Sequence, residues 1–182
     1  MKIALTQRIL YHNKIAYDSI EHGWYNLLKD HTLFLIPNTL TQDFDSVAQN
    51  YDGLIITGGD DSALRRTIEL KVASAFMKQI KPILGVCHGA FLLTDVLDGK
   101  LEEDINHRKN HSVHYRDNDD IAVNSYHSNI ISVPPPTATC IVQDDDGNCE
   151  SWVDNNIVAV VWHPERMEIP WLPEEVLTKF PI

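Results

Sequence analysis

Two unbroken apolar runs limit what this chain can fold into: Asp52-Gly53-Leu54-Ile55-Ile56-Thr57 and Pro82-Ile83-Leu84-Gly85-Val86. Short runs without polar alternation belong to strands covered on both faces. Gly58-Gly59-Asp60-Asp61 breaks the first sharply, and Ser62–Ile80 follows as a long helix. Ser62 caps that helix, while Leu64, Ile68, Val72, Phe76 and Ile80 recur every four residues. The second run passes directly into Cys87 and the helical stretch Gly89–Leu97. Lys2–Thr6 and His31–Ile36 read as further apolar strands, Tyr17–Lys29 as a helix opened by Asp18, and Phe44–Gln49 as a short helix. Strands alternating with helices imply a doubly wound α/β fold, a mostly parallel sheet flanked by helices on both faces. After residue 110 the pattern changes to short strands at Val113–Tyr115, Ala122–Ser125, Thr139–Gln143, Glu150–Val153 and Ile157–Val161, an antiparallel extension, with a last helix at Glu174–Phe180. The 182 residues suit a single domain spanning 1–182, and Pro134-Pro135-Pro136 is too short to be a domain linker.

Composition excludes several function classes. Fifteen Lys and Arg stand against 26 Asp and Glu, a formal charge of −11, which argues against a nucleic-acid partner. The longest apolar runs fall far short of the roughly 20 residues that cross a bilayer, so no membrane association is expected. No secretory signal is visible at the N-terminus, and the chain reads as cytoplasmic. Three cysteines make a disulfide scaffold unexpected. Cys140 and Cys149 flank a hairpin tip at Asp144–Gly147. A two-residue turn there pairs Asp144 with Cys149 and puts Cys140 opposite Val153, too far for a bridge.

Cys87 differs from both. Gly85-Val86-Cys87-His88-Gly89 has the form strand, Gly-x-Cys-x-Gly, helix, which perches a nucleophile on a strained turn above the carboxyl edge of the sheet. The glycines remove side chains that would clash there. The helix start places N–H groups beside the sulfur, favouring thiolate and offering donors to an oxyanion. The bland alternative is a buried cysteine at a tight turn, and a short match of this kind leaves the two even. A second motif, Trp162-His163-Pro164-Glu165, ends the last apolar strand. Residues two apart in extended chain share a face, so Glu165 can fix the His163 ring as the third member of a triad.

Asp52–Gly59, Gly85–Gly89, Val123-Asn124-Ser125-Tyr126-His127 and Trp162-His163-Pro164-Glu165-Arg166-Met167 come in the order seen in class I glutamine amidotransferase-like domains. The chain resembles that family over nearly its whole length, and most of all its γ-glutamyl hydrolase branch. Within the branch it looks like the hydrolases of γ-glutamyl-CDP-amidate in bacterial capsule phosphoramidate synthesis. The resemblance implies a flavodoxin-like fold, Cys87 as nucleophile, His163 as acid and base, Glu165 as orienter, and an oxyanion hole from the N–H groups of Gly59 and His88. It also implies that Gly58, Ser125, Tyr126 and His127 lie around a small-molecule γ-glutamyl substrate, that no cofactor or metal is needed, and that a homodimer or a synthetase partner is conceivable. One position departs from the pattern: many members carry Gln four residues after the nucleophile, where this chain has Phe91. Either glutamine is a poor substrate, or its α-groups are read elsewhere in the site.

His107-Arg108-Lys109-Asn110-His111-Ser112-Val113-His114-Tyr115-Arg116 is the one basic stretch. Composition favours a solvated strand edge kept from pairing by charge. The family fold puts the segment near the mouth of the site, where Arg108 and Lys109 can hold an anionic leaving group. Arg65 and Arg66 can add to the patch, or simply be solvated helix charges. His107 and His111 have i, i+4 spacing, but metal ligation at that spacing needs a helix, and the segment looks extended. Asp60-Asp61 reads as a helix-start pair, and Asp117–Asp120 as a solvated loop.

Overall fold

The computed structural model describes residues 1–116 and 118–182, without the side chains of Asn106, Asn118 and Asp119. Five strands form the parallel part of a nine-stranded sheet: β1 (Lys2–Thr6), β4 (Thr32–Ile36), β5 (Gly53–Ile56), β6 (Ile83–Val86) and β13 (Ile157–Val160), in the order β4-β1-β5-β6-β13. The sheet continues antiparallel through β12 (Cys149–Asp154), β11 (Thr139–Asp144), β8 (His111–Tyr115) and β9 (Asn118–Val123). The architecture is the expected α/β one, with an antiparallel half.

The apolar runs occupy its middle. Leu54, Ile55 and Ile56 of β5, and Ile83, Leu84 and Val86 of β6, are fully buried, each such side chain worth roughly 1.5–3 kcal/mol of transfer free energy. Helix α3 (Ala63–Lys78) covers them with Ile68, Val72 and Phe76. Ser62 caps it by accepting from the Arg65 N–H at 3.2 Å. The four-residue repeat runs past the packed face at both ends, since Leu64 is 43% exposed and Ile80 76%. Helix α4 (His88–Val96) follows β6 with no intervening loop and buries Ala90 through Thr94. The remaining helices are α1 (His22–Leu27), α2 (Phe44–Asn50) and α5 (Glu174–Lys179).

The structure corrects the expected elements in four places. Residues 8–19 form a hairpin, β2 (Arg8–His12) with β3 (Ile15–Ser19), so the helix expected from Tyr17 begins only at His22. The turn residues Asn13 and Lys14 both have positive φ, 50° and 64°, the conformation of a type I′ turn. A second small sheet pairs β7 (Lys100–Glu103) with β10 (Asn129–Val133), neither anticipated. At the 144–149 tip, two register shifts place Gln143 opposite Cys149 and Cys140 opposite Trp152. The Asp144 carboxylate accepts from the N–H groups of Asp146 and Asn148, which tightens the tip beyond a two-residue turn. Both cysteines are free thiols that donate to backbone carbonyls, Cys140 to Val142 at 3.2 Å and Cys149 to Ser151 at 3.3 Å. Of the acidic cluster at 117–120, Asp117 and the side chains of Asn118 and Asp119 lie outside the described residues, and the backbone from Asn118 belongs to β9 rather than to a loop. No helix among the described residues is long and apolar enough to cross a membrane.

Candidate active site

Strand β6 ends at Cys87, whose N–H donates to the Val160 carbonyl of β13 at 2.9 Å. Its φ of 49° and ψ of −104° are a left-handed conformation on a residue with a Cβ, a strain on the order of 1–3 kcal/mol that needs surrounding structure to hold it. That structure is close-fitting. A Cβ on Gly89 would lie 2.2 Å from the Ile56 carbonyl oxygen, and one on Gly85 2.6 Å from that of Gly89. The turn therefore sits directly on β5 and projects the sulfur into a cavity of about 530 Å³, where Gly59, His88, Phe91, Tyr126 and His163 also contribute. Burial pushes the Cys87 thiol up to about 12, against the opposing pull of the His88 backbone N–H and the Arg166 charge. The helix-start N–H of His88 does pull toward thiolate as expected, but it is not the largest influence. Desolvation outweighs both pulls, which favours the thiol over the thiolate.

His163 follows β13, the neighbour of β6 in the sheet. Its backbone is clamped by Asn124: the His163 N–H donates to Asn124 Oδ1, and Asn124 Nδ2 donates to the His163 carbonyl, both at 2.8 Å. The His163 ring lies 2.6 Å from Glu165 Oε1 through Nδ1. A carboxylate only accepts, so Nδ1 carries the proton and Nε2 is left as a base. Both side chains are buried, at 2% and 1% exposure, which holds the ring in one orientation. Gly58 lies against the other side of it, since a Cβ there would come 2.3 Å from His163 Cε1.

The loop after β5 supplies the facing wall. Gly59 has φ +120°, a conformation that favours glycine, and lines the cavity with His88. Arg65 holds this loop from beneath. Its guanidinium donates to the carbonyls of Thr57 (2.6 Å), Asp60 (3.0 Å) and Gly58 (3.2 Å) and to Glu69 Oε1 (2.9 Å). Glu69 also accepts from the Thr6 hydroxyl at 2.8 Å, and its second oxygen meets His88 Nε2 at 2.7 Å. Arg65 and Glu69 are both fully buried. Arg65 is thus neither part of a surface patch nor a solvated helix charge. Arg66 does reach the cavity mouth, paired with Asp95.

The remaining expected residues divide. Tyr126 and His127 line the cavity, as does Arg108. Ser125 is buried behind them with its hydroxyl donated to the His107 carbonyl at 2.8 Å, and Lys109 is exposed and outside the lining. Most of the basic stretch is neutralised internally. His107 and His111 turn inward to Glu150, His114 pairs with Asp145, and Arg116 with Glu174 and Glu175. Phe91 forms part of the cavity wall and packs edge-on to His127 with ring centroids 5.2 Å apart. Two cavity arginines carry no sequence expectation. Arg166 lies over the Tyr126 ring at 4.7 Å and pairs with Glu21, which also takes Arg8 of the unanticipated hairpin. The Trp-His-Pro-Glu-Arg motif contains the signal for Arg166; nothing local marks Arg8.

The family model for class I glutamine amidotransferases matches residues 16–176. This chain belongs to that family. Curated relatives are a glutamine amidotransferase-like protein, YvdE, of Lactococcus lactis (24% identical, 84% of this chain and 82% of that one) and the γ-glutamyl-CDP-amidate hydrolase of Campylobacter jejuni (25%, 91% and 90%). One chain of the glutamine-hydrolysing GMP synthase of Halobacterium salinarum is 26% identical over 88% of this chain and 90% of its own length. Among solved structures, a glutamine amidotransferase from Thermotoga maritima superposes with a TM-score of 0.70 at 15% identity, over 90% of this chain and 76% of that one, a likeness of fold. The class I family hydrolyses amides, and this member is a glutamine amidotransferase-like hydrolase.

Proposed function

We propose that the protein is a stand-alone hydrolase of γ-glutamyl amides, working through a Cys87-His163-Glu165 triad on a conjugate with an anionic leaving group of the nucleotide-phosphoramidate type. One observation carries the reading: a strained Cys87 and a Glu165-oriented His163 project from adjacent parallel strands into one cavity whose opposite wall is the Gly59 loop.

In this scheme the Cys87 sulfur attacks the γ-carbonyl carbon as its proton passes to His163 Nε2, and Glu165 steadies the imidazolium. The carbonyl electron pair moves onto oxygen, held by the N–H groups of Gly59 and His88. Collapse breaks the C–N bond while His163 protonates the departing nitrogen, leaving a glutamyl thioester. Water then attacks, giving its proton to His163. The C–S bond breaks, the sulfur recovers a proton from His163, and glutamate is released.

Arg66 is paired with Asp95, and Asp60 and Asp61 line the same cavity, but Arg108 on the lining, and Arg8 and Arg166 sharing the single carboxylate of Glu21, support an anionic leaving group. So does the likeness to the Campylobacter γ-glutamyl-CDP-amidate hydrolase. Phe91 supplies an apolar wall where the family pattern has an amide. A second reading, a glutaminase feeding ammonia to a synthetase, draws support from the Halobacterium relative. The two separate in one experiment: the purified chain is offered L-glutamine, neutral γ-glutamyl amides and γ-glutamyl nucleotide phosphoramidates, with released glutamate measured. Unaided turnover, fastest on the phosphoramidate, is expected. Turnover of glutamine alone, and only with an added synthetase, refutes the proposal in favour of the second reading.

A further inference from the structure

Behind the cavity wall, three imidazoles surround one buried carboxylate. His107 ends a short 3₁₀ turn (Ile105–His107), His111 opens β8, His127 lies in the loop after β9, and Glu150 is on β12. Glu150 is 1% exposed, His127 7% and His107 9%. One ligand atom from each of His107, His127 and Glu150 lies within 4.8 Å of the others. The His107 ring centroid is 4.6 Å from that of His111 and 5.2 Å from that of His127.

The hydrogen bonds around the rim leave the interior rich in lone pairs. His111 Nδ1 donates to the Lys109 carbonyl at 2.9 Å, and His127 Nδ1 to the Asn129 carbonyl at 2.7 Å. His107 Nδ1 faces Asp144 Oδ2 at 3.6 Å, and its Nε2 is 3.0 Å from Glu150 Oε1. Imidazoles tied through one nitrogen to an oxygen, with the other nitrogen turned to a common centre, have the outer arrangement of metal-binding histidines. With Nδ1–H so committed, a neutral His111 presents a lone pair to Glu150 Oε2 at 3.3 Å, and both of those atoms are buried without a hydrogen bond. Near His127 Nε2, at 3.3 Å, lies the Ser125 hydroxyl, whose proton is committed to the His107 carbonyl. Charging His107 and His111 would give Glu150 two donors, but it would set two cationic rings 4.6 Å apart in a low-dielectric interior and leave His127 Nε2 without a donor. A single cation between His107, His127 and Glu150 satisfies their facing atoms and lies beside the orphaned His111 Nε2.

We propose that His107, His111, His127 and Glu150 form a closed, structural divalent transition-metal site of the zinc class, which fastens the Tyr126-His127 loop to the antiparallel half of the sheet. Three imidazoles and one carboxylate suit zinc and its neighbours, whereas magnesium and calcium prefer all-oxygen sets. His107, His127 and Glu150 already stand within 4.8 Å of one another, and His111, 3.3 Å from Glu150 Oε2, closes the fourth position by turning its ring inward. So closed, the metal takes no part in the hydrolysis, and its existence does not depend on that function.

The test uses the full chain, stripped with chelator and titrated with ZnCl₂, and in parallel with CoCl₂. One equivalent of zinc is expected, bound with micromolar or tighter affinity and unaffected by excess MgCl₂. The thermal midpoint should rise with zinc and fall again with chelator. Bound cobalt should show the visible bands of a four-coordinate ion without thiolate charge transfer, which separates this cluster from Cys87, Cys140 and Cys149. Glu150→Gln and His127→Gln should lower zinc affinity at least tenfold, and His12→Ala on the exposed hairpin should not. Failure of the wild-type chain to take up a stoichiometric metal overturns the proposal, as does a thiolate-ligated cobalt spectrum. Because those two readouts use the unaltered protein, a variant that fails to fold leaves the test intact.

Discussion

Arg65→Met isolates the buried network under the Gly59 loop. The guanidinium makes five bonds, three to loop carbonyls, one to the Thr57 hydroxyl and one to Glu69, at full burial. Its removal leaves Glu69 with the Thr6 hydroxyl and His88 as remaining partners and strips donors from Thr57, Gly58 and Asp60. Taking one partner from a buried ion pair costs about 3–5 kcal/mol, mostly the desolvation of the charge left behind. For a domain of this size each kcal/mol moves the midpoint by roughly 2–4 °C, so a fall of about 6–20 °C is expected. The double variant Arg65→Met, Glu69→Leu removes the stranded charge and should recover about half of that loss or more. Urea unfolding of wild type, both single variants and the double variant closes the cycle. Activity should behave differently from stability: if the loop supplies the proposed Gly59 oxyanion donor, kcat should stay down by about 10²-fold or more even in the double variant. An Arg65→Met loss below about 1 kcal/mol, or a double variant no more stable than the single, refutes the argument.

Three further outcomes follow from the site. Cys87→Gly should abolish turnover yet raise stability by about 1 kcal/mol, because glycine relieves the positive φ; a less stable variant by urea unfolding would show that the turn is unstrained. Because the thiol is pushed up to about 12, alkylation of Cys87 by iodoacetamide should be slower at pH 7 than that of free cysteine. The rate should keep climbing to at least about pH 10 rather than levelling near the free-thiol value of about 8.5. Peptide mass spectrometry follows the adduct, and a plateau at or below neutral pH contradicts the buried-thiol reading. Gly58→Ala should reduce kcat about 10²-fold or more with a smaller change in KM, since its Cβ displaces the imidazole; unchanged kcat would place the catalytic base elsewhere.

What could be read in advance follows the range of the physics. The β5 and β6 runs, the capped α3 and the β6–α4 turn are set by local pattern, and the structure has them within two residues at most ends. The 8–19 hairpin escaped because Asn13-Lys14 lacks the glycine that marks most type I′ turns, while Ile20, Trp24 and Leu27 carried a helical period into it. The 144–149 register failed because the Asp144 carboxylate, not the turn dipeptide, organises the tip. Charge was the least legible property. Arg65 looks like a surface residue beside Arg66 until Glu69, Thr57 and Gly58 are seen around it. The basic stretch reads as unpaired charge, a solvated edge or an anion site, because its acids, Glu150, Asp145, Glu174 and Glu175, come from distant positions. His107 and His111 meet across a turn and share Glu150, so the i, i+4 argument from helices did not apply to them.

Acid quench of the protein during turnover of a γ-glutamyl substrate, followed by peptide mapping, asks most directly whether sulfur 87 and imidazole 163 act together. A glutamyl thioester should appear on the Cys87 peptide of the wild-type chain, be absent from Cys87→Ala, and fail to form at an appreciable rate in His163→Ala. Glutamate released by Cys87→Ala at the wild-type rate, with no acylated peptide in either protein, would contradict the mechanism outright.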